Sequence, residues 1–399
     1  MYRHLEKTLK RSLIGVGCAA HIVNNAVQSA TDCLPIDVQS IVVKIYSYFH
    51  IYTVRVESLK EFCEFVQVEY HQLLGYCKTR WLALAPAVGR FLDMFAPLKS
   101  YFLSQSKCPT AIKNFFSDPM AEMWLRFAHS QSATFHSAVL QIEGQKTSMI
   151  EVATALNELK AKLIERRDNV FLPVTVSKCC DELETDGLLK RADVSRVVVD
   201  YYQTSIDYIE QWGAHFATIT MFQWAVLTKS PTWSDMQLSL KWFAENMSLP
   251  TIDDSALFDE TVNVKAFVND ERLQKWTKEQ TSPDQRWVEV FTHFDSHNIG
   301  YSNILKLVEF CFCLPGTNAP TERVFSLMND MWTSEKTQLT IDTLSAVLVT
   351  KVNFGYSCVE FYDVLLNRPR LLKALHSSEK YKAKSSSDST ASASATVNL

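Results

Sequence analysis

Residues 314–354 read LPGTNAPTERVFSLMNDMWTSEKTQLTIDTLSAVLVTKVNF, two bounded amphipathic segments with one acid in the first turn of the earlier one. Thr317 or Asn318 can cap the first helix. Pro320 suits its opening turn, where no backbone N–H is needed, and Glu322 falls near the positive end of the helix dipole, where a carboxylate is favoured. Val324, Phe325, Met328, Met331 and Trp332 recur at spacings of three and four and form one apolar face. A second helix is predicted to start with Thr340 as cap, with Asp342 in its first turn and Leu344, Val347, Leu348 and Val352 as its buried stripe. Two short helices cannot bury that much apolar surface against each other, so part of it is expected to meet the helices upstream and part a partner chain, the alternative being that the whole face is internal core.

Helical spacing continues upstream. Residues 36–70 predict two helices, and residues 82–102 predict one more, with Pro86 early and Leu92, Phe95, Leu98 and Phe102 on its apolar face. Further helices are predicted over 115–139, 147–167, 194–212, 233–243 and 301–314, the last with Cys311-Phe312-Cys313 as core packing. Residues 168–193, with Pro173 and the acidic run 181–186, are predicted to form a surface excursion. The acids of 249–300, Glu260 among them, are predicted to form a solvated face. Residues 13–16 suggest the end of a strand, and the Ser-, Ala-, Lys- and Thr-rich stretch after Leu375 a disordered tail.

The 399 residues are 47% hydrophobic and 12% aromatic, enough for the cores of two or three domains. A net charge of −4 and a pI near 6.2 exclude a nucleic-acid surface spread over the whole chain and leave room for a local basic patch. No run approaches the ~18 apolar residues of a membrane helix, and MYRHLEKTLKR lacks a signal-peptide core, so no membrane partner is expected and the protein is read as intracellular. Ten cysteines without a single Cys-x-x-Cys fit reduced thiols better than a disulfide framework or a zinc finger. With Gly at only 10 positions and neither a phosphate loop nor a nucleophile elbow, no cofactor and no small-molecule substrate are predicted.

Ala319, Pro320, Glu322, Arg323, Val324, Phe325 and Ser326 resemble the carboxy-terminal end of hAT-superfamily transposases and of host proteins derived from them, where a small residue and Pro lead into Glu-Arg-Val-Phe-Ser. Cys18-Ala-Ala-His21 resembles the Cys-x-x-His pair that stands in this family before a long helical insertion. Thr79-Arg80-Trp81 resembles a third family motif, in which the Trp stacks on a displaced base at the transposon end. The three motifs occur in family order across nearly the whole chain. The resemblance implies a mainly α fold, with a remnant of an RNase H-like core over 1–22 and a helical insertion domain over 23–300. The carboxy-terminal RNase H-like helices and hAT dimerisation region would follow over 301–376, and a disordered tail over 377–399. It also implies Phe325, Met328, Trp332, Leu344, Val347 and Leu348 as dimerisation residues and Lys78, Arg80 and Trp81 as DNA contacts. As plain packing, Trp81 is a core residue, Cys18 and His21 are a buried thiol and a hydrogen-bonded imidazole, and Glu322 only complements a helix dipole.

In the family, the Glu matched by Glu322 is the last of three metal-binding carboxylates, and the two Asp residues precede Cys-x-x-His. Only Glu6 is acidic before Cys18, so the chain is expected to be the second part of a longer ancestor. Two-metal phosphodiester chemistry needs several carboxylates converging on ions about 3.5–4 Å apart. One Glu cannot supply them, Asp32 and Asp37 follow the Cys18–His21 pair rather than precede it, and His293 and His297 lack a carboxylate-rich helix nearby. No metal site and no enzyme activity are therefore expected. The favoured function is a nuclear, transposase-derived protein that acts through association with another copy or a related hAT-derived chain. The alternative is a nucleic-acid-binding remnant with a transcription-regulator-like role; an active nuclease with replacement acids is the third reading.

Overall fold

Alanine and valine fill the helix Ala19–Thr31, which lets neighbouring backbones approach it closely and makes it the centre of the bundle. The computed structural model describes residues 7–8, 17–75, 81–144, 147–246, 252–314, 316–333 and 339–376. The protein is mainly α-helical, and no strand forms among the described residues. It divides into two compact units between Pro320 and Thr321. In the first unit the helices are α1 (Ala19–Thr31), α2 (Val38–Phe49), α3 (Thr53–Phe65), α4 (Ala85–Asp93), α5 (Phe95–Ser104), α6 (Thr110–Ser117), α7 (Ala121–Ile142), α8 (Met149–Asp168), α9 (Val174–Thr185), α10 (Arg191–Ala217), α11 (Trp233–Asn246), α12 (Asp254–Phe267), α13 (Asp270–Lys278), α14 (Pro283–Ser296) and α15 (Ser302–Cys313), with 3-10 segments at Trp81–Leu84 and Thr218–Val226. Helix α16 (Ala319–Met331) crosses the division, and α17 (Ile341–Asn353), α18 (Cys358–Leu366) and α19 (Pro369–His376) belong to the second unit.

Helix α1 packs on α7 and α10, and α8 closes the bundle over them. Gln131, fully buried on α7, accepts from Arg166 at 2.6 Å and from the Tyr202 hydroxyl at 3.0 Å, so these three groups satisfy one another. A second cluster, Phe49, Phe91, Phe95, Tyr101, Phe102 and Phe116, fills the space among α2, α4, α5 and α6. In a third, Trp224 and Trp287 meet edge to face at 5.9 Å, and their indoles donate to Ser239 Oγ at 2.9 Å and the Ala225 carbonyl at 2.7 Å. Arg286 adds hydrogen bonds to the carbonyls of Val226 and Leu227, both at 3.1 Å, which ties α14 to the end of the second 3-10 segment.

Four expectations are corrected. Residues 82–102 are not one helix: Pro97 has no N–H to give the Asp93 carbonyl and its ring would crowd that oxygen, so the chain turns at Met94 and restarts as α5. Residues 168–193 are not a plain excursion, because Pro173 opens α9 instead of breaking it. Val176 and Cys180 then bury one face of α9 on α7, with the Cys180 Sγ 3.2 Å from Met123 Sδ, while Asp181, Glu182 and Glu184 stay outside. Glu260 is not on a solvated face but buried, accepting from the backbone N–H groups of Asn303 at 3.0 Å and Ile304 at 2.6 Å and from Asn303 Nδ2 at 2.9 Å. It thereby caps α15, where an ionised carboxylate matches both the open donors and the dipole. Cys311 is buried but Cys313 is exposed, since side chains two apart on a helix point to different sides. Residues 13–16 and the tail 377–399 lie outside the described residues.

Candidate functional site

Cys18 stands just ahead of α1 in extended backbone and is half-buried, while His21 in the first turn is exposed. The Cys18 Sγ lies 3.7 Å from the Thr317 hydroxyl. Burial pushes this thiol up, but hydrogen bonds from the Asn318 and His21 backbone, the His21 ring and Thr317 together outweigh it and bring the thiol below its ordinary value. Next to it, the Gly17 N–H donates to His215 Nε2 at 3.2 Å near the end of α10. Burial holds His215 below its ordinary value, so the ring is neutral at pH 7 and keeps a lone pair for that bond.

The lead-in to α16 is fixed from two directions. Gly316 packs so closely on α8 that a Cβ there would fall 2.5 Å from Val152 Cγ2 and 3.2 Å from Met149 Cα, so only glycine fits without displacement. The next residue, Thr317, accepts through Oγ1 from the Ala319 N–H at 3.2 Å, just ahead of the helix. Helix α1 also receives the segment that follows Thr79-Arg80-Trp81: the Leu82 N–H donates to Asn24 Oδ1 at 3.3 Å, and the Asn24 amide donates back to the Ala20 carbonyl at 2.8 Å. Asn24 lies six residues past Cys18, about 9 Å along the helix. One helix thus supports the Cys18–His21 pair, the chain just after Trp81 and the chain just before Glu322. Lys78, Thr79 and Arg80, and the side chain of Trp81, lie outside the described residues.

No protein-family model and no curated protein matches the chain. Glu322 is half-buried in the first turn of α16. Among the described residues, no three His, Cys, Asp or Glu side chains are grouped so as to hold a metal ion. Sequence alone did not single out Asn24 or His215, whose partners lie 58 and 198 residues away, and it saw in Thr317 a cap without its second contact to Cys18, 299 residues distant.

The expected dimerisation residues lie in the second unit, where Leu344 is the one buried side chain among the described residues. Phe325 and Trp332 are 54% and 45% exposed, Val347 is exposed, and Met328 and Leu348 are half-buried. Helix α18 buries nothing and shows Val359, Tyr362 and Leu366 to solvent. These helices are delimited by local chemistry. Thr340 accepts from the Thr343 N–H at the start of α17, and Ser357 and Glu360 form a capping box at the start of α18. Hydrogen bonds from the Ser357 backbone, followed by those from its side chain, hold the Glu360 carboxyl below its ordinary value. No helix among the described residues is long and apolar enough to cross a membrane.

Proposed function

We propose that this chain is a nuclear, hAT-transposase-derived protein with no nuclease activity of its own, and that it acts by pairing with a second copy through α17, α18 and the Phe325–Met328–Trp332 face of α16. In this view residues 23–300 are the helical insertion domain, and the helices after 300 are the end of an RNase H-like core with its dimerisation region. The shared attachment of three motif segments to α1 favours that assignment, since residues far apart in the chain meet at one support. The observation that carries the pairing is the open apolar surface after Pro320. Phe325, Trp332, Phe354, Tyr356 and Tyr362 are each about half-exposed, as are Ile341, Val349, Val352, Val359 and Leu366 or more so. At roughly 50 to 100 Å² apiece, these side chains approach the ~800 Å² that each partner contributes to a stable interface. A self-complementary patch is the simplest way to close such a surface, because a two-fold pair covers both copies at once.

Sedimentation velocity of the whole chain at tens of micromolar tests this. The expected species is a dimer that Trp332→Ala weakens and Leu348→Asp abolishes. A monomer indifferent to both changes overturns the pairing, and pairing only with a related hAT-derived chain replaces the second copy as occupant. The absence of nuclease activity rests on count: a single carboxylate holds a divalent ion weakly and leaves no place for a second. DNA incubated with the chain and Mg²⁺ or Mn²⁺ should stay intact. Metal-dependent cleavage that vanishes in Glu322→Gln would show that the other acids come from elsewhere.

A further inference from the structure

We propose that a cavity between the end of α2, the first turns of α3 and residues 70–73 binds a small neutral aromatic compound with a carbonyl oxygen. The cavity has a volume of about 270 Å³. That is the small end of ligand sites, which start at about 300 Å³, and it suits a single ring. Buried Phe49 and Leu59 and half-buried Leu73 give it apolar surface. The wall formed by residues 70–73 is held in place. The His71 N–H donates to Met94 Sδ at 3.4 Å, and Gly75 sits so near Tyr46 that a Cβ there would fall 2.8 Å from the Tyr46 ring.

Tyr46, Phe49, His50 and Tyr70 line the cavity with rings, and Tyr46 and His50 stack at 4.6 Å, so a flat ring finds partners here. Polar and apolar atoms share its surface almost equally, and the polar side chains have protons to give. Tyr46 Oη and His50 Nδ1 are joined at 2.7 Å. With a neutral imidazole this pair holds two protons and uses one, whichever ring nitrogen is protonated. The hydroxyl of half-buried Tyr70 makes no hydrogen bond among the described residues, and burial pushes that phenol up, so it keeps its proton. Gln72 is exposed and can give or accept. Among the described lining residues only Lys60 carries a permanent charge, and Glu57 pairs with it at 2.8 Å, so the lining has no surplus charge. A carboxylate would compete with Glu57 for that ammonium, and an amine would meet it directly. A neutral carbonyl oxygen accepts a proton donor without disturbing the pair.

The test titrates acetophenone into the full chain at pH 8 with ¹³C-methyl-labelled valine. The signals missing in Val56→Ile belong to Val56, which lines the cavity. Acetophenone should shift them to saturation. Cyclohexyl methyl ketone should bind more weakly, and benzoate and benzylamine about tenfold more weakly. Tyr70→Phe should lower the affinity for acetophenone about fivefold, the scale of one neutral hydrogen bond. Leu73→Trp, which fills the cavity from a half-buried position, should abolish binding. If Leu73→Trp does not fold, Tyr70→Phe, which removes only a hydroxyl, decides the matter: the fivefold loss supports the site and unchanged affinity overturns it. Val56 signals that stay in place at millimolar acetophenone also overturn it, as does benzoate or benzylamine binding as tightly as the ketone.

Discussion

Trp287 and Trp332 show how differently the two units treat the same side chain. Trp287 is 2% exposed, rests against Trp224 and donates to the Ala225 carbonyl, whereas Trp332, just past the end of α16, is 45% exposed. In the first unit, capped helices such as α2, α8 and α12 also bury an apolar face. In the second the caps are present and the packing is not. Capping decides where a helix begins, but in water helices of 13 and 9 residues such as α17 and α18 draw most of their stability from a packed face, and isolated helices below about 12–15 residues are marginal. An open face on such helices is therefore a face that needs covering.

Three substitutions and one labelling experiment sharpen or break this contrast. Glu260→Ala should be the most damaging, because it leaves the N–H groups of Asn303 and Ile304 buried without an acceptor; urea unfolding should lose about 3 kcal/mol. A loss below about 1 kcal/mol would mean that the first unit is less tightly satisfied than its hydrogen bonds indicate. Gly316→Ala should cost about 2 kcal/mol, since the new methyl meets Val152 and the backbone of α8. A neutral result would show that the lead-in to α16 yields easily. Cys18, whose thiol is lowered, should become reactive toward iodoacetamide at lower pH than Cys63, Cys108 or Cys179, which burial pushes up. Peptide mapping across pH 6 to 10 reads the order, and simultaneous labelling of all four breaks the junction at Cys18. Leu348→Asp should alter the unfolding of the first unit least, within about 0.5 kcal/mol, while removing self-association. A large shift there would mean that Leu348 already serves an interior.

The helices were legible because their apolar residues recur on one face. Val38, Ile41, Val42, Ile45 and Phe49 of α2 are all buried, and so is the whole inner side of α8, but of the stripe expected to be buried on α17 only Leu344 is, while Val347 and Val352 are exposed. Acidic residues misled in two opposite ways. Those of α9 sit on the outer side of a helix anchored by only Val176 and Cys180, too sparse a pattern to recognise, and Glu260 is buried because its partner Asn303 lies 43 residues away. The site was harder still. Cys18 and Thr317 were each noticed for local reasons, but their contact depends on the way α8 and Gly316 bring the chain back to α1, which no short-range pattern encodes.

The Cys18–Thr317 contact also bears on the order in which the molecule is made. It joins residues 299 apart, and closing such a loop in an unfolded chain costs about 5 kcal/mol in entropy before any contact repays it. The closure becomes cheap only after α1, α8 and α10 have assembled and Val152 and Met149 offer Gly316 a seat. The junction is thus a late event of folding, and the same logic makes it early to open. In hydrogen exchange the Ala319 amide, held by Thr317, should exchange well before the amides of α1 that lie under it.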